Sequence, residues 1–378
     1  MKNQIKNKNW VFPWDIKGYI KLNDEAKNRI LRFLINKHRF KSHISKTLDV
    51  PDYWIHNFIR NKKIDTSTFK KIVNSMQDDT LTNEIIQFND DKGSSSVPFK
   101  GVFPIQYNPL WHFVFCLSIG DGYLREEKKQ FYWYQKPEGM KALIKLINRM
   151  NFCYSPKISV CKRGVCIPQL IRKVGSYVTG LEDKKDIKKD ILKVSSKLGR
   201  EYEIAFITAF FLDEAGMSTL KNNSEITIHQ EGNLIFLENV GKLLDKLKVD
   251  WFKNKKTEKW NIRLNTNGII KLAELFESIK KHNITLLHRQ GIFQKKVEIA
   301  KKTNRKSQLK LESKKLRTYI LNKYSGKQIT LEQIRKHFKS NHNLSIRSRD
   351  IVYHMKKKNE LINVGLAKYQ VKGGKNEN

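Results

Sequence analysis

Acidic residues are scarce in this chain of 378 residues, with 37 Asp and Glu against 74 Lys and Arg, a formal net charge of +37. That imbalance is far more than solubility requires, and an excess of this size usually meets phosphate. Charge alone fits a ribosomal protein or a nonspecific DNA coater equally well, so it fixes the class of partner and leaves the chemistry open. Cysteine is scarce too: Cys116, Cys153, Cys161 and Cys166 all fall in the middle third. Cys161 and Cys166 flank Lys-Arg-Gly-Val and with Cys153 suggest zinc, but no fourth ligand stands at finger-like spacing, which favours small hydrophobes on strands. No apolar run reaches membrane length and no signal-peptide pattern precedes the cysteines, so a cytoplasmic, reducing setting away from membranes is expected.

What is present is enough to fold. Apolar residues make up 39% and aromatics 11%, and the length allows two or three domains. Two composition breaks divide the chain. Asp90-Asp91-Lys92-Gly93-Ser94-Ser95-Ser96 buries no face and predicts a linker over 90–100. The charged stretch over 300–315 predicts a basic connector, although a solvated helix has the same composition. Between and beyond these lie 1–89, a core of two halves (101–200 and 201–299), and 316–378.

In the first module, apolar spacing predicts helices over 22–37 and 43–48. After a turn through Asp49-Val50-Pro51, Asp52 caps a third helix with Trp54, Ile55, Phe58 and Ile59 as its inner stripe. Arg60, Lys62 and Lys63 lie at its end. The arrangement resembles a helix-turn-helix whose second helix enters a major groove; a small helical bundle without DNA contacts is the alternative. The last module predicts helices over 316–324 and 331–338, a third over 346–358 capped by Ser345, then strands over 361–365 and 367–371. That order resembles a winged helix. Residues 300–378 carry 21 Lys and Arg against 5 Asp and Glu, which makes this segment a phosphate-contact surface, with Arg347 and Arg349 among its candidate DNA contacts.

The core holds an internal pattern. Asn108 and Pro109 suit the cap and first turn of a helix whose apolar residues Leu110, Phe113, Val114 and Leu117 recur at helical spacing. It runs into Gly120-Asp121-Gly122. A second apolar helix over 204–212 runs into Asp213-Glu214-Ala215-Gly216, which sets Glu214 ninety-three residues after Asp121. Each is followed by a strand ending in glutamine, at Gln135 and Gln230, and then by an amphipathic helix, over 138–150 and 233–247. Further strands are predicted over 157–160 and 169–174 in the first copy and 255–264 in the second, and each copy closes with a helix, over 186–197 and 268–279.

These segments resemble the two-motif LAGLIDADG homing endonucleases, the nine-residue motif matching VFCLSIGDG over 114–122 and ITAFFLDEA over 207–215. The resemblance covers about 101–294. It implies an α+β fold with a pseudo-symmetric, duplicated αββαββα core and DNA-saddle sheets, flanked by the small, mostly helical DNA-binding domains. It also implies Asp121 and Glu214 as the catalytic acids, each serving one strand of duplex DNA. The third motif position is small in both copies, Cys116 and Ala209, and Ala205 lies one turn before Ala209, so the two helices can pack closely. Two carboxylates brought together at their ends repel unless a divalent metal bridges them. Mg²⁺ is the expected cofactor, with Mn²⁺ as a substitute, and Gly120 and Asp213 join Asp121 and Glu214 as candidate metal contacts. Ala215 departs from the motif, where glycine is usual. A register shifted by one places Ala215 at the catalytic position, but it also sets Phe210 in place of small Ala209 at the helix contact, which favours Glu214.

On the saddles, outward alternation nominates Arg125, Lys128, Gln130, Tyr132 and Tyr134 in the first half. In the second it nominates Lys221, Asn223, Glu225, Thr227 and His229. Later strands add Arg172, Lys255, Lys259, Asn261 and Arg263. The expected protein is a monomeric, free-standing, metal-dependent endonuclease acting on a long asymmetric duplex, because the chain lacks the His-Asn ending of an intein. A regulator that kept the saddle and lost cleavage, or an RNA maturase, uses the same scaffold.

Overall fold

The computed structural model describes residues 10–372 except 39, 52, 62, 90–96, 118–121, 126–129, 157–163, 183, 218–225, 230–233, 257–258, 335, 337–347, 359 and 366–367. The chain divides into two compact units, 1–296 without 222–224, and 297–378 with 222–224.

The first unit opens with β1 (Trp10–Val11), β2 (Tyr19–Leu22), α1 (Asp24–Lys37), α2 (Lys41–Leu48), α3 (Trp54–Asn61), β3 (Lys63–Asp65), α4 (Thr66–Met76) and β4 (Ile85–Asn89). Asn23 caps α1 by accepting from the Ala26 amide, and Asp65 caps α4 through the Thr68 amide, each at 2.8 Å; such caps satisfy donors the first helical turn leaves open. Asp49 ends α2 in the left-handed region with φ 50°, which a short polar side chain tolerates. Ile44, Leu48, Ile55 and Phe58 are buried between α2 and α3. Ile59, expected on the inner stripe, is 43% exposed, because this two-turn helix buries only a narrow face. The antiparallel sheet β3-β2-β4 and α4 join the three expected helices.

The core follows as β5 (Ile105–Gln106), α5 (Pro109–Cys116), β6 (Gly122–Arg125), β7 (Gln130–Tyr134), α6 (Pro137–Arg149), β8 (Gly164–Cys166), α7 (Gln169–Thr179), α8 (Lys184–Leu198) and α9 (Arg200–Glu214). It continues through β9 (Ala215–Gly216), β10 (Ile226–Ile228), α10 (Leu234–Lys246), β11 (Trp251–Lys256), β12 (Lys259–Leu264) and α11 (Thr266–Ser278). This is α+β architecture with small antiparallel sheets, ordered β6-β7-β8 and β11-β12-β10-β9. Residues 169–174 correct one expectation: they open α7 and form no strand. Leu170, Ile171, Val174 and Val178 all turn inward at helical spacing, a period that a six-residue window is too short to separate from a strand. Gly175 lets α7 approach α5, since a Cβ there would lie 2.3 Å from Phe115 Cδ2.

Helix α12 (Gln290–Tyr324) begins in the first unit and continues through 301–315, the stretch read as a connector. The second unit adds β13 (Gln328–Thr330), α13 (Ser348–Lys357), β14 (Leu361–Gly365) and β15 (Lys368–Val371), with sheet order β13-β15-β14. Leu316, Ile320, Ile329, Ile334, Val352, Met355, Leu361 and Val371 form its core. The Arg317 Nε donates to both carboxylate oxygens of Glu360, at 2.9 and 2.7 Å. Among the described residues no helix is long and apolar enough to cross a membrane.

Candidate active site and sheet surface

Helices α5 and α9 pack against each other at the centre of the first unit. Asn108 caps α5 by accepting from the Leu110 and Trp111 amides at 3.0 and 3.2 Å, with Pro109 at the first helical position. Every residue of α9 from Glu203 to Asp213 is buried, as befits a helix apolar all round. Cys116, Ala205 and Ala209 are buried at 2% exposure or less, so neither helix presents a bulky side chain at these positions.

A polar brace fixes α5 among its neighbours. The His112 ring is fully enclosed, with Nδ1 2.9 Å from the Tyr107 hydroxyl and Nε2 2.8 Å from Ser195 Oγ on α8. Ser195 Oγ donates to the Ile191 carbonyl at 2.7 Å, so it accepts from Nε2–H, and Nδ1 accepts from Tyr107. Burial holds the ring neutral and depresses its pKa to about 3.

Glu214, the last residue of α9, is half-buried, and Ala215 turns the chain into extended conformation with φ −81° and ψ 121°. The Glu214 carbonyl accepts from the His229 amide at 3.2 Å. Ala215 and Gly216 then pair with Ile228 and Thr227, which joins the helix end to the edge of the four-stranded sheet. Asp213, one residue earlier, is buried and its Oδ1 accepts from the Trp133 indole N–H at 2.8 Å. The two neighbouring carboxyls therefore have different surroundings, as expected for side chains ~100° apart around a helix. Asp121 and Gly120 lie outside the described residues.

Trp133→Phe removes the indole donor and leaves Asp213 with one hydrogen bond fewer. Leaving a buried acceptor with a bond fewer costs about 1–3 kcal/mol, so the urea midpoint falls while the far-ultraviolet dichroism of the native state is unchanged. An unchanged midpoint shows that this contact is dispensable.

Arg289 was not foreseen. Its Nη1 donates to the Ala215 carbonyl at 2.7 Å from 74 positions away, placing a cation beside the residue that follows Glu214. Neighbouring His288 lies against α6, where a Cβ on Gly139 would come within 2.7 Å of its Cε1. Burial lowers the His288 pKa, and Arg289 beside it lowers it further. Nothing in the local stretch Leu-Leu-His-Arg-Gln marks either residue; only the fold brings them here.

The second-half sheet has two unlike faces. Trp260, Ile262 and Leu264 are buried on one, where α10 covers them and Gly241 admits the Trp251 ring. In register on the other, Arg263 pairs with Thr227 and with Phe252, which is 43% exposed and lies 5.5 Å beneath the Arg263 guanidinium. His229 is exposed just past the end of β10. Asn261 corrects its expectation: it is on the polar face by register yet only 7% exposed. In the first half, Trp133 and Val165 are buried, whereas Tyr134 is 40% exposed and Tyr132 is half-buried with its ring 6.5 Å from Tyr134.

The other candidates divide as follows. Arg125 and Gln130 pair in register on β6 and β7, Lys255 is on β11, Lys259 on β12 and Arg349 on α13. Arg172 is corrected: on α7 it is 7% exposed and so is no outward strand residue, because the helical period turns it inward with Ile171. Arg60 is exposed on α3 and Lys63 half-buried on β3. Lys62, Lys128, Lys221, Asn223, Glu225 and Arg347 lie outside the described residues. Among the described residues no three His, Cys, Asp or Glu side chains cluster as a metal site, and Cys116, Cys153 and Cys166 are free thiols.

No known family model matches this chain, and no curated protein matches it. A solved structure of mesophilic variants from the homing endonuclease I-DmoI is similar over 47% of this chain and 97% of that chain, at 16% identity and a TM-score of 0.30. Likeness at that level is distant and decides neither the topology nor the activity.

Proposed function

We propose that this protein is a site-specific, metal-dependent endonuclease for double-stranded DNA, of the LAGLIDADG type, with a pseudo-symmetric pair of halves meeting at α5 and α9. The observation that supports this reading most is the end of α9: a half-buried carboxylate, Glu214, joined directly to a sheet whose polar face carries Arg263, Thr227 and Phe252. A nuclease needs an acid held at the edge of a surface that grips the duplex, and a short helix-to-strand junction supplies that placement. The net charge of +37 favours phosphate as the partner.

Carboxylate oxygens are hard donors that suit Mg²⁺. Glu214 and Asp121 would hold the ion, which when bound supplies an activated water and neutralises charge at the phosphate. Arg289, through the Ala215 carbonyl, steadies the turn that aims Glu214. Asp213, held by Trp133, acts in this reading as a structural acid. On the first module, Tyr53, His56, Asn57 and Arg60 are exposed on and just before α3, a face suited to a second contact on the same duplex.

The test is a randomised duplex library incubated with the protein in Ca²⁺ and in Mg²⁺. Recovery of a bound duplex in Ca²⁺ that is cut in Mg²⁺ is the expected result. A duplex bound in both ions and cut in neither identifies a regulator, and preferential capture of structured RNA identifies a maturase.

A further inference from the structure

Helices α8 and α10 form a groove of about 370 Å³. Lys189 and Lys193 stand on one bank, and Lys242 and Lys246 on the other. Each pair is spaced i,i+4, so its members share a helix face about 6 Å apart. Ser196 and Asn239 line the groove between them, and Asp190 is its one acidic lining residue. Lys246 is engaged: it pairs with the buried carboxylate of Glu203 and lies 3.4 Å from Ser196 Oγ. Lys189, Lys193 and Lys242 are exposed and form no ion pair with a described residue.

Placement separates this groove from the sheet. One side of α10 covers the apolar face of β11 and β12 through Gly241 and Trp251, and the helix also packs against α8 and, through Phe236, against Phe206 and Phe210 of α9. Arg263, Thr227 and Phe252 occupy the opposite face of the sheet. Helix and sheet layers each add about 10 Å. The lysines thus lie on the order of 20 Å from a duplex on the polar face, well beyond the ~8 Å over which charge is felt at physiological salt.

We propose that the α8–α10 groove is a second polyanion site that takes the phosphate backbone of a single-stranded nucleic acid while the sheet face is free to hold a duplex. A furrow between two packed helices, with axes about 8–10 Å apart, admits one phosphodiester chain and meets a duplex only at its rims. Asn239 offers an amide donor between the cations, which suits phosphate oxygens better than an apolar lipid surface, whereas the Ser196 hydroxyl is already donated to Glu203. The inference is independent of the cleavage reading, since it needs neither Glu214 nor a metal.

The test is fluorescence anisotropy with labelled oligouridylate and oligothymidylate of about 20 nucleotides, in the presence of saturating random-sequence duplex, across a salt series. In Lys189→Gln/Lys193→Gln/Lys242→Gln the slope of log affinity against log salt flattens by about two, from ~0.7 per lost phosphate contact. Lys246 is left in place because it neutralises Glu203. The duplex slope stays unchanged, the arginine triple at the same positions retains strand binding, and Lys100→Gln/Lys141→Gln/Lys145→Gln, of equal charge, leaves the slope as it was. An unchanged strand slope, an equal loss in the control triple, an equal loss for duplex, or displacement of the strand by phosphatidylserine vesicles overturns the proposal. Failure of the unsubstituted protein to cleave any duplex, with the strand slope flattened in the triple as expected, bears on the nuclease reading alone.

Discussion

Glu214→Gln is expected to lower Mg²⁺-dependent duplex cleavage by on the order of 10³-fold or more while leaving duplex binding in Ca²⁺ near its original strength. The substitution is nearly isosteric and removes only the negative charge. Glu214 sits half-buried at the last position of α9, so an amide there strands no buried charge and the helix end keeps its bonds to His229 and Arg289, both made by backbone carbonyls. Asp121→Asn is expected to behave alike. Single-turnover cleavage of the selected duplex, with gel shift in parallel, separates the outcomes. Cleavage by both variants at the original rate removes the assignment, whereas loss confined to Asp121→Asn shifts the second motif by one residue and leaves that half without an acid. Asp213→Ala is expected to cost stability in preference to activity, because it removes the acceptor of a buried indole.

Acid sensitivity is the second large effect. Unfolded, His112 titrates near 6.5, whereas burial in the fold depresses it to about 3. Between those values the unfolded chain binds a proton that the folded chain refuses, so stability rises with pH across that window. The contribution is fully present above pH 6.5, declines as pH falls and is gone below about 3. A gap of that size corresponds to about 5 kcal/mol at most. Urea midpoints measured from about pH 7 to about pH 4 read it directly. His112→Gln is expected to be less stable at neutral pH, because its amide cannot meet both Tyr107 and Ser195 as the ring does, and to show a flatter midpoint-against-pH curve. An equally steep curve in the variant assigns the acid sensitivity to other groups. The Tyr107 hydroxyl, raised well above its usual value by its own burial, stays neutral throughout and adds nothing to the slope.

The helical parts of this fold were legible where apolar spacing ran long enough to show its period. The cap at Asn108 and Pro109, α1, α3 and the strand Leu361–Gly365 stand close to where the sequence puts them. Legibility failed where a window was short or a composition had two meanings. Six residues over 169–174 carry Leu, Ile and Val in either period, and the structure makes them helix. The charged run over 301–315 reads as connector or as solvated helix, and it is part of the 35-residue α12. The strand Gln328–Thr330 is too brief to show alternation, and it exists because β15 offers it a ladder.

The candidate site divides along the same line. Sequence by itself determined the chemistry available: a surplus of cations, two apolar helices running into acids, small residues at their contact positions, and a polar alternation on the strands. Those are local properties, fixed by residue type and period. Tertiary structure decided which groups meet. It set Trp133 against Asp213 from 80 positions away, brought Arg289 to the Ala215 carbonyl, enclosed His112 between Tyr107 and Ser195, and turned Asn261 and Arg172 inward. The physical reason is that a side chain's surroundings are settled by packing among distant segments, where burial and one hydrogen bond choose between neighbours as alike as Asp213 and Glu214.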